Sequence, residues 1–350
     1  MRGSSQATPL QGRLLSVADL PAGWSAVPVN PKITSTSPCL SSVSASPTGL
    51  THATAAFVEG TSIPAFAEAL TSGPQAQQQW RSLNQALARC RTATIAIAGD
   101  KDGVTIQPRL VLITGYGGTM ESWDRRFVDA LAEHHRVVIF DNAGIGGTRA
   151  LPGPLSIDAM ANQTSALIGT LGLGRPDVLG WSMGSMIAQA LAVLHPGQVN
   201  RLILCASYPG NGRTVRPSQQ AINALNSGDQ QKVMAVLFPA GQTAAQYTYI
   251  EATPSYPAAP AAPADIVTAQ GHAVDQWWAG TDPAGQHAAN IAVPTLIADG
   301  TADQLDPLAN SHTLARLIPG AKLTLYPDAG HAFLFQDQAA FVPLIESFLG

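Results

Sequence analysis

The chain has 350 residues, of which 45% are hydrophobic and 12% are charged, and its formal net charge is −4. This length predicts one large domain with an insertion, or two domains, and the apolar fraction suits a well-buried α/β core. A small negative charge without a basic cluster argues against nucleic acid or an anionic membrane surface as partners. No apolar run approaches the length of a transmembrane segment. A small, neutral molecule is therefore the expected ligand.

The first third of the chain differs from the rest. Residues 1–12 contain Ser, Gln and Thr without the apolar core of a signal peptide, so we expect a tail there and no signal peptide in this chain. Residues 13–98 are rich in Ser, Thr, Pro and Ala, with one amphipathic helix predicted over 74–91. We expect a small, separate α+β domain.

Two of the three cysteines lie in this N-terminal segment. Cys39 and Cys90 predict a disulfide, and hence an extracytoplasmic location, either secreted or in the cell envelope; two buried free thiols are the alternative. Cys205 lies in an apolar run, where a buried free thiol is expected. The Asp-Leu-Pro-Ala-Gly-Trp run at 19–24 and the paired cysteines resemble extracytoplasmic sensor-like domains of actinobacterial envelope proteins. The segment shows no polar cluster with metal-ligand spacing and no paired carboxylates, so we expect it to have a structural or substrate-gating role.

From residue 104 to 350 short apolar runs alternate with amphipathic helical segments. The predicted strands cover residues 110–113, 137–140, 177–180, 202–205, 295–298 and 323–326, and the predicted helices include 122–134, 157–171 and 183–195. Strands that alternate with helices predict a mostly parallel sheet covered by helices on both faces.

The alternation stops between about residues 208 and 291, where amphipathic segments predict a helical cap. Ligands of parallel sheets bind beyond the carboxyl ends of the strands, so a cap inserted there covers the site. Trp277 and Trp278 are candidates to line its pocket, although packing of the cap onto the body explains them equally well. Arg213 and Arg216 are expected to face solvent, which leaves an apolar pocket.

One short motif carries the chemistry. Gly180-Trp181-Ser182-Met183-Gly184 follows an apolar run and precedes a helical segment. In G-x-S-x-G the glycines leave room for a sharp strand-to-helix turn, which exposes the serine hydroxyl above the sheet. Ser182 is therefore the candidate nucleophile.

Two later loops supply its partners. Asp303 and His331 each follow a predicted strand, and the order Ser, Asp, His is that of the α/β-hydrolase family, which the chain resembles over residues 108–350. This resemblance implies an α/β-hydrolase fold in which His331 is the base and Asp303 orients it. Asp306, just before a proline, is a rival acid.

The same resemblance assigns the oxyanion hole to the backbone N–H groups of Tyr116 and Met183. Thr114 stands where many relatives have His. Gly115 and Trp181 join the two cap tryptophans as candidate substrate contacts. The glycines of 115–118 lack the Lys-Ser/Thr pair and the spacing of nucleotide-binding loops, and the turn at 141–146 receives no chemical role.

These expectations combine into a cofactor-free and metal-free serine hydrolase that cleaves carboxylic esters of apolar small molecules through an acyl-enzyme. The same residues could support perhydrolysis of the haloperoxidase type, amide hydrolysis or carbon–carbon bond hydrolysis. A non-catalytic binding or sensor protein of the envelope is the alternative from another class.

Overall fold

The structure is a computed structural model that describes residues 108–253 and 262–350, together with the backbone of six strands within residues 24–106. Contacts divide the chain into two compact units, residues 1–107 and 108–350. The candidate disulfide partners Cys39 and Cys90, and the predicted helix 74–91, lie outside the described residues. Within them, no helix is both long and apolar enough to cross a bilayer.

The described part of the first unit consists of short antiparallel strands. One sheet has the order β1-β3-β4, the other β2-β5-β6. The strands are β1 Trp24–Val27, β2 Asn30–Ser35, β3 Thr51–Glu59, β4 Phe66–Ser72, β5 Ala93–Ala98 and β6 Val104–Ile106.

The second unit contains the sheet that the sequence predicts. Six parallel strands lie in the order β12-β11-β10-β9-β7-β8. They are β7 Arg109–Ile113, β8 Arg136–Ile139, β9 Asp177–Trp181, β10 Leu202–Cys205, β11 Thr295–Gly300 and β12 Lys322–Tyr326. The chain passes from β7 to β8 on one side and returns to β9 on the other. This reversal creates a crevice beyond the carboxyl ends of β7 and β9, where ligands bind in such sheets.

Helices cover both faces of this sheet. Those outside the cap segment are α1 Arg125–Ala132, α2 Ile157–Thr170, α3 Met183–Leu194, α8 Ala309–Leu317, α9 Phe333–Gln336 and α10 Gln338–Leu349. Asp124 caps α1 through its carboxylate, so this helix begins later than the expected residue 122. The expected α/β-hydrolase fold class is thus confirmed.

Successive side chains of a strand point to opposite faces of the sheet, so alternate residues pack into two separate cores. Val111 and Ile113 pack with α2 and α3, whereas Leu110 and Leu112 pack with α1 and α10. Cys205, which is buried and free, belongs to the second core. Because both faces are covered, the open edge at the strand ends is left for the site.

The described residues between β10 and β11, which leave out 254–261, form four α-helices where the sequence predicts a cap. They are α4 Gln219–Leu225, α5 Gln230–Leu237, α6 Thr243–Ala252 and α7 Ala264–Ala279, followed by a 3-10 helix, Ala284–Asn290. Helix α7 contacts the loops that follow β7 and β8, since Val267 faces Gly117 and Ile266 faces Gly144.

Candidate active site

Ser182 occupies the turn between β9 and α3 in a backbone conformation that L-residues rarely adopt. Its φ and ψ are 58° and −124°, and its N–H donates to the carbonyl of Cys205 at 2.9 Å. A Cβ on Gly180 would lie 2.3 Å from the Gly184 carbonyl oxygen, and one on Gly184 would lie 2.0 Å from the Ile113 oxygen. Both glycines are therefore required sterically. Strain of this kind costs about 1–3 kcal/mol and is typical of functional sites.

His331 and Asp303 meet beside this turn. The Nδ1 atom of His331 donates to Asp303 Oδ2 at 2.7 Å, and both side chains are almost fully buried. Asp303 Oδ1 also accepts hydrogen bonds from the amides of Leu305 at 2.7 Å and Asp306 at 2.8 Å. The bond to Nδ1 leaves His331 Nε2 as the atom that can accept a proton.

The rival acid, Asp306, has a different environment. Its Oδ1 accepts a hydrogen bond from Asn310 Nδ2 at 2.8 Å, and its side chain is fully buried. In the described residues, the hydrogen bond of His331 Nδ1 goes to Asp303 and not to Asp306. The geometry therefore favours Asp303 as the acid.

The loop after β7, residues 114–120, lies beside Ser182 and contains the candidate donor amide of Tyr116. The amides of Gly117, Gly118 and Met120 donate to Gln270, Gly115 and Asp141 respectively. The Tyr116 amide, by contrast, has no acceptor among the residues that the structure describes.

A second amide lies across the site from this loop. Met183 is the first residue of α3, where an N–H group has no acceptor within its own helix. The Tyr116 and Met183 amides are thus the candidate pair for a developing oxyanion. A Cβ on Gly115 would lie 3.1 Å from that of Ser182, which explains a glycine at this close approach.

Two braces of this loop were not predicted from the sequence. Asn142 Nδ2 donates to the Thr114 carbonyl at 3.1 Å, and Asp141 Oδ1 accepts from the Met120 amide at 2.7 Å. The 141–146 turn therefore supports the loop of residues 114–120, which we call the oxyanion loop. Its position after the strand beside β7 is the signal that could have indicated this.

The other unpredicted residue is Gln270 on cap helix α7. Its Oε1 accepts the Gly117 amide proton at 2.8 Å, and the side chain is fully buried. The cap thereby fixes the peptide next to the Tyr116 amide. No local pattern marks this contact, because it joins residues 153 positions apart.

Two cavities open on Ser182. The first, about 470 Å³, includes His331, Trp181 and the oxyanion loop in its lining. The second, about 370 Å³, includes Met183 and Trp278. Ser182 and Tyr116 line both cavities. Burial raises the pKa of the Tyr116 phenol, so this side chain is neutral at pH 7. A larger groove of about 940 Å³ lies elsewhere and does not include the serine.

The three candidate tryptophans occupy different surroundings. Trp181 Nε1 donates to the His331 carbonyl at 2.9 Å, so this residue holds the histidine loop and also lines the first cavity. Trp278 lines the second cavity. Trp277 is fully buried in the core and is absent from the lining of both cavities.

Arg216 is exposed, as the sequence predicts, and it also lies at the second cavity. Its guanidinium lies 5.5 Å from the centre of the Trp278 ring and lines the second cavity. It also pairs with Asp275 at 3.5 Å, and about half of each side chain is exposed. The cation at the second cavity is thus partly neutralised.

Known proteins share this architecture. The chain is 29% identical over 250 residues to a protein described as the carbamate hydrolase RutD of Pseudomonas savastanoi, covering 69% of this chain and 93% of that one. It is 29% identical over 270 residues to a protein described as the non-heme bromoperoxidase BpoC of Mycobacterium tuberculosis, covering 70% and 94%.

A solved structure has a similar fold. The enol-lactonase from Burkholderia xenovorans matches with a TM-score of 0.55 and 25% identity, covering 72% of this chain and 94% of that one. Residues 108–338 match the alpha/beta hydrolase fold family as a whole. The chain therefore belongs to the alpha/beta hydrolase family.

Proposed function

We propose that this hydrolase cleaves carboxylic esters of small, predominantly apolar molecules with Ser182 as its nucleophile. The observation that carries the proposal is the 2.7 Å bond between His331 Nδ1 and Asp303 beside the strained serine turn. Ser182 and His331 line one cavity. This arrangement gives the nucleophile, the base and the orienting acid that acyl transfer needs.

The reaction follows from these positions. His331 Nε2 accepts the Ser182 proton as the hydroxyl oxygen attacks the ester carbonyl carbon, and the resulting oxyanion accepts hydrogen bonds from the Tyr116 and Met183 amides. The imidazolium, stabilised by Asp303, then gives its proton to the leaving alcohol oxygen. Water, activated by His331 in the same way, hydrolyses the acyl-enzyme and frees the acid.

The two cavities divide the substrate between them. The leaving group must lie near His331, which lines the first cavity, so the alcohol part binds there. The acyl part then extends into the second cavity, between Met183 and Trp278. The apolar side chains of Val233 and Met234 line the first cavity, and those of Ile222 and Val274 line the second, which supports an apolar substrate.

Relatives suggest a second candidate, because one of them is described as a carbamate hydrolase. A carbamate offers the same carbonyl to Ser182, with nitrogen on one side. Another relative is described as a bromoperoxidase, which keeps the perhydrolase alternative open alongside amidase and carbon–carbon hydrolase activities. A panel of an ester, a carbamate, an amide and a diketone, with the ester assayed both with and without hydrogen peroxide, separates these chemistries, and we expect the highest kcat/KM for hydrolysis of the ester.

A fluorophosphonate probe tests the nucleophile without knowledge of the substrate. We expect stoichiometric labelling of Ser182, and no labelling of Ser182→Ala. Absence of labelling in the folded wild-type protein would contradict the proposal and favour the non-catalytic binding protein.

We also propose an extracytoplasmic working location, on the sequence argument of the paired cysteines. Cys39 and Cys90 should be bonded to each other. Peptide mapping under non-reducing conditions tests this, and two alkylatable thiols in the native, air-exposed protein would remove the argument for export.

A further inference from the structure

Three carboxyl groups lie buried together behind the candidate histidine. Asp299 and Asp306 have no exposed surface, and neither has the Asp303 side chain. Asp299 lies within hydrogen-bonding reach of both other carboxyls. Among the described residues the ion pairs of this group include His331 but no lysine or arginine. At most one cation therefore balances three acids.

The hydrogen bonds distinguish the three acids. Asp303 accepts three N–H groups, from His331, Leu305 and Asp306, and donors of this number stabilise an ionised carboxylate. Asp299 accepts from its neighbouring Gly300 amide at 2.8 Å and from the Ser311 hydroxyl at 2.7 Å.

Asp306 is the least supported of the three. Its Oδ1 accepts from Asn310, but its buried Oδ2 has no donor in the part of the chain that the structure describes. An ionised carboxylate with one buried oxygen unpartnered would be costly, whereas a protonated one places its O–H toward a neighbouring acceptor.

Electrostatics favours a single negative charge in this cluster. Burial, followed by the charge of Asp303, raises the pKa of Asp299 well above its usual range. Burial, followed by the charges of Asp299 and Asp303, does the same for the pKa of Asp306. Neighbouring carboxyls that share a dry site hold protons for this reason. Metal binding does not explain the cluster, since no three such side chains of the described residues are arranged to hold an ion.

We propose that Asp299 and Asp306 are protonated carboxylic acids in the working enzyme, and that Asp299 is a positioning residue that donates a hydrogen bond to the Asp303 carboxylate. Asp306 donates in turn to Asp299. The result is a series of hydrogen bonds in which Asp306 donates to Asp299 and Asp299 donates to Asp303, the acid that binds His331. Asp306 and Asp299 themselves do not touch the substrate.

This arrangement has a consequence for His331, which rests on its proposed role as the base. A second ionised carboxylate beside Asp303 would stabilise the imidazolium and so favour the protonated histidine over the free base. A neutral donor has the opposite effect, because it withdraws charge from Asp303. The protonated acids thus keep His331 available to accept the Ser182 proton.

The other titratable groups that face the cluster are neutral. Burial raises the pKa of the Tyr208 phenol and of the Cys205 thiol well above their usual ranges, and the nearby acids add to both shifts. Tyr208 donates its hydroxyl proton to the Leu305 carbonyl. Neither group changes the charge balance around His331 at neutral pH.

The pH dependence of fluorophosphonate labelling tests the proposal, since its acid limb reports protonation of His331. Asp299→Asn is neutral, and its Nδ2 can donate to Asp303 as the acid does, so the acid limb should keep its wild-type position. Asp299→Leu removes the donor, so the limb should move up by about one pH unit. A downward shift of about one unit or more in Asp299→Asn would mean that an ionised carboxylate had been removed, and this overturns the proposal. An unmoved limb in Asp299→Leu overturns the hydrogen bond to Asp303.

Infrared spectroscopy in D₂O gives a second readout that needs neither activity nor the leucine variant. The wild-type protein at pH 7 should show the carbonyl stretch of protonated carboxylic acids, and Asp299→Asn and Asp306→Asn should each remove part of it. A spectrum without this band refutes the protonation. If Ser182 is not labelled at all, the proposed function fails, and the infrared result still decides the protonation of the two acids.

Discussion

The adjacent residues Trp277 and Trp278 offer a matched pair of substitutions, because they share one helix turn but have different surroundings. Trp277 is fully buried, and its Nε1 donates to the Tyr208 carbonyl at 3.1 Å. A Cβ on Gly210 would lie 2.6 Å from its ring, so backbone packs directly against the indole. Trp278 is partly buried, lies 5.4 Å from the Tyr208 ring centre and lines the second cavity.

The expected magnitudes follow from these contacts. Trp277→Ala leaves a cavity that rigid backbone cannot fill, which costs about 3–5 kcal/mol of unfolding free energy. It also removes one of the two donors of the Tyr208 carbonyl, which still accepts from Gln189 Nε2 at 3.0 Å, so the loss of this hydrogen bond adds little to the cost. Trp278→Ala should cost less than about 2 kcal/mol, because part of its ring already faces an open space.

The assays are urea unfolding, followed by circular dichroism, and KM for esters of one alcohol with acyl chains from acetate to octanoate. Trp277→Ala should lower the unfolding midpoint strongly and change KM equally for all chain lengths. Trp278→Ala should raise KM progressively with chain length. A buried CH₂ group is worth about 0.8 kcal/mol, so the increase is at most about fourfold for each methylene that loses its contact.

Two results would refute this reasoning. An equal effect of Trp278→Ala on acetate and octanoate esters would mean that the acyl chain does not reach this ring. Equal unfolding midpoints for the two variants would mean that burial of Trp277 does not stabilise the cap on the body.

Further predictions concern the catalytic groups and pH. Ser182→Ala should lower ester kcat by more than about a thousandfold without changing the circular dichroism spectrum, and Asp303→Asn should lower it by a similar factor, because the amide imposes the wrong hydrogen bond on the histidine. Gln270→Leu should lower kcat about tenfold with little change in KM, since it frees the peptide next to an oxyanion donor, and Gln270→Glu, which keeps an acceptor, should lose less. Burial, followed by the carboxyl of Asp158, raises the pKa of Asp282 to about 7. A carboxyl whose pKa is raised in the folded state costs stability as pH rises from about 4 to 7. Asp282→Asn should therefore raise Tm relative to wild type at pH 8 and leave Tm similar to wild type at pH 4. The same change in Tm at both pH values would contradict this dependence of stability on the Asp282 pKa.

Much of the architecture follows from local pattern. The apolar runs ending at Ile113, Gly180 and Cys205 predict buried parallel strands, and the structure contains these strands in one sheet. In such a sheet the carboxyl ends of the strands share one edge. The serine, aspartate and histidine loops each follow a strand, so their order along the sequence was enough to predict that Ser182, Asp303 and His331 lie together.

Choices between neighbouring residues were decided only by tertiary structure. Asp303 and Asp306 are three positions apart in one loop, yet one turns toward His331 and the other toward Asn310. Residues 277 and 278 likewise differ by one position, and helix α7 directs the first into the core and the second toward the cavity. Sequence spacing specifies the loop or the helix, but the direction of each side chain depends on what packs against it.

Long-range contacts were the least accessible to sequence analysis. The bond from the Gly117 amide to Gln270 joins two elements that are far apart in the chain. The side chains of Asp299, Asp303 and Asp306 are buried together, but in the sequence they look like ordinary polar loop residues. The sequence by itself determined the fold class and the chemical groups at the strand ends, because hydrophobic period and turn sterics act over a few residues. The tertiary structure decided how those groups are oriented, braced and shielded from water, because burial and hydrogen-bond partners exist only once distant segments meet.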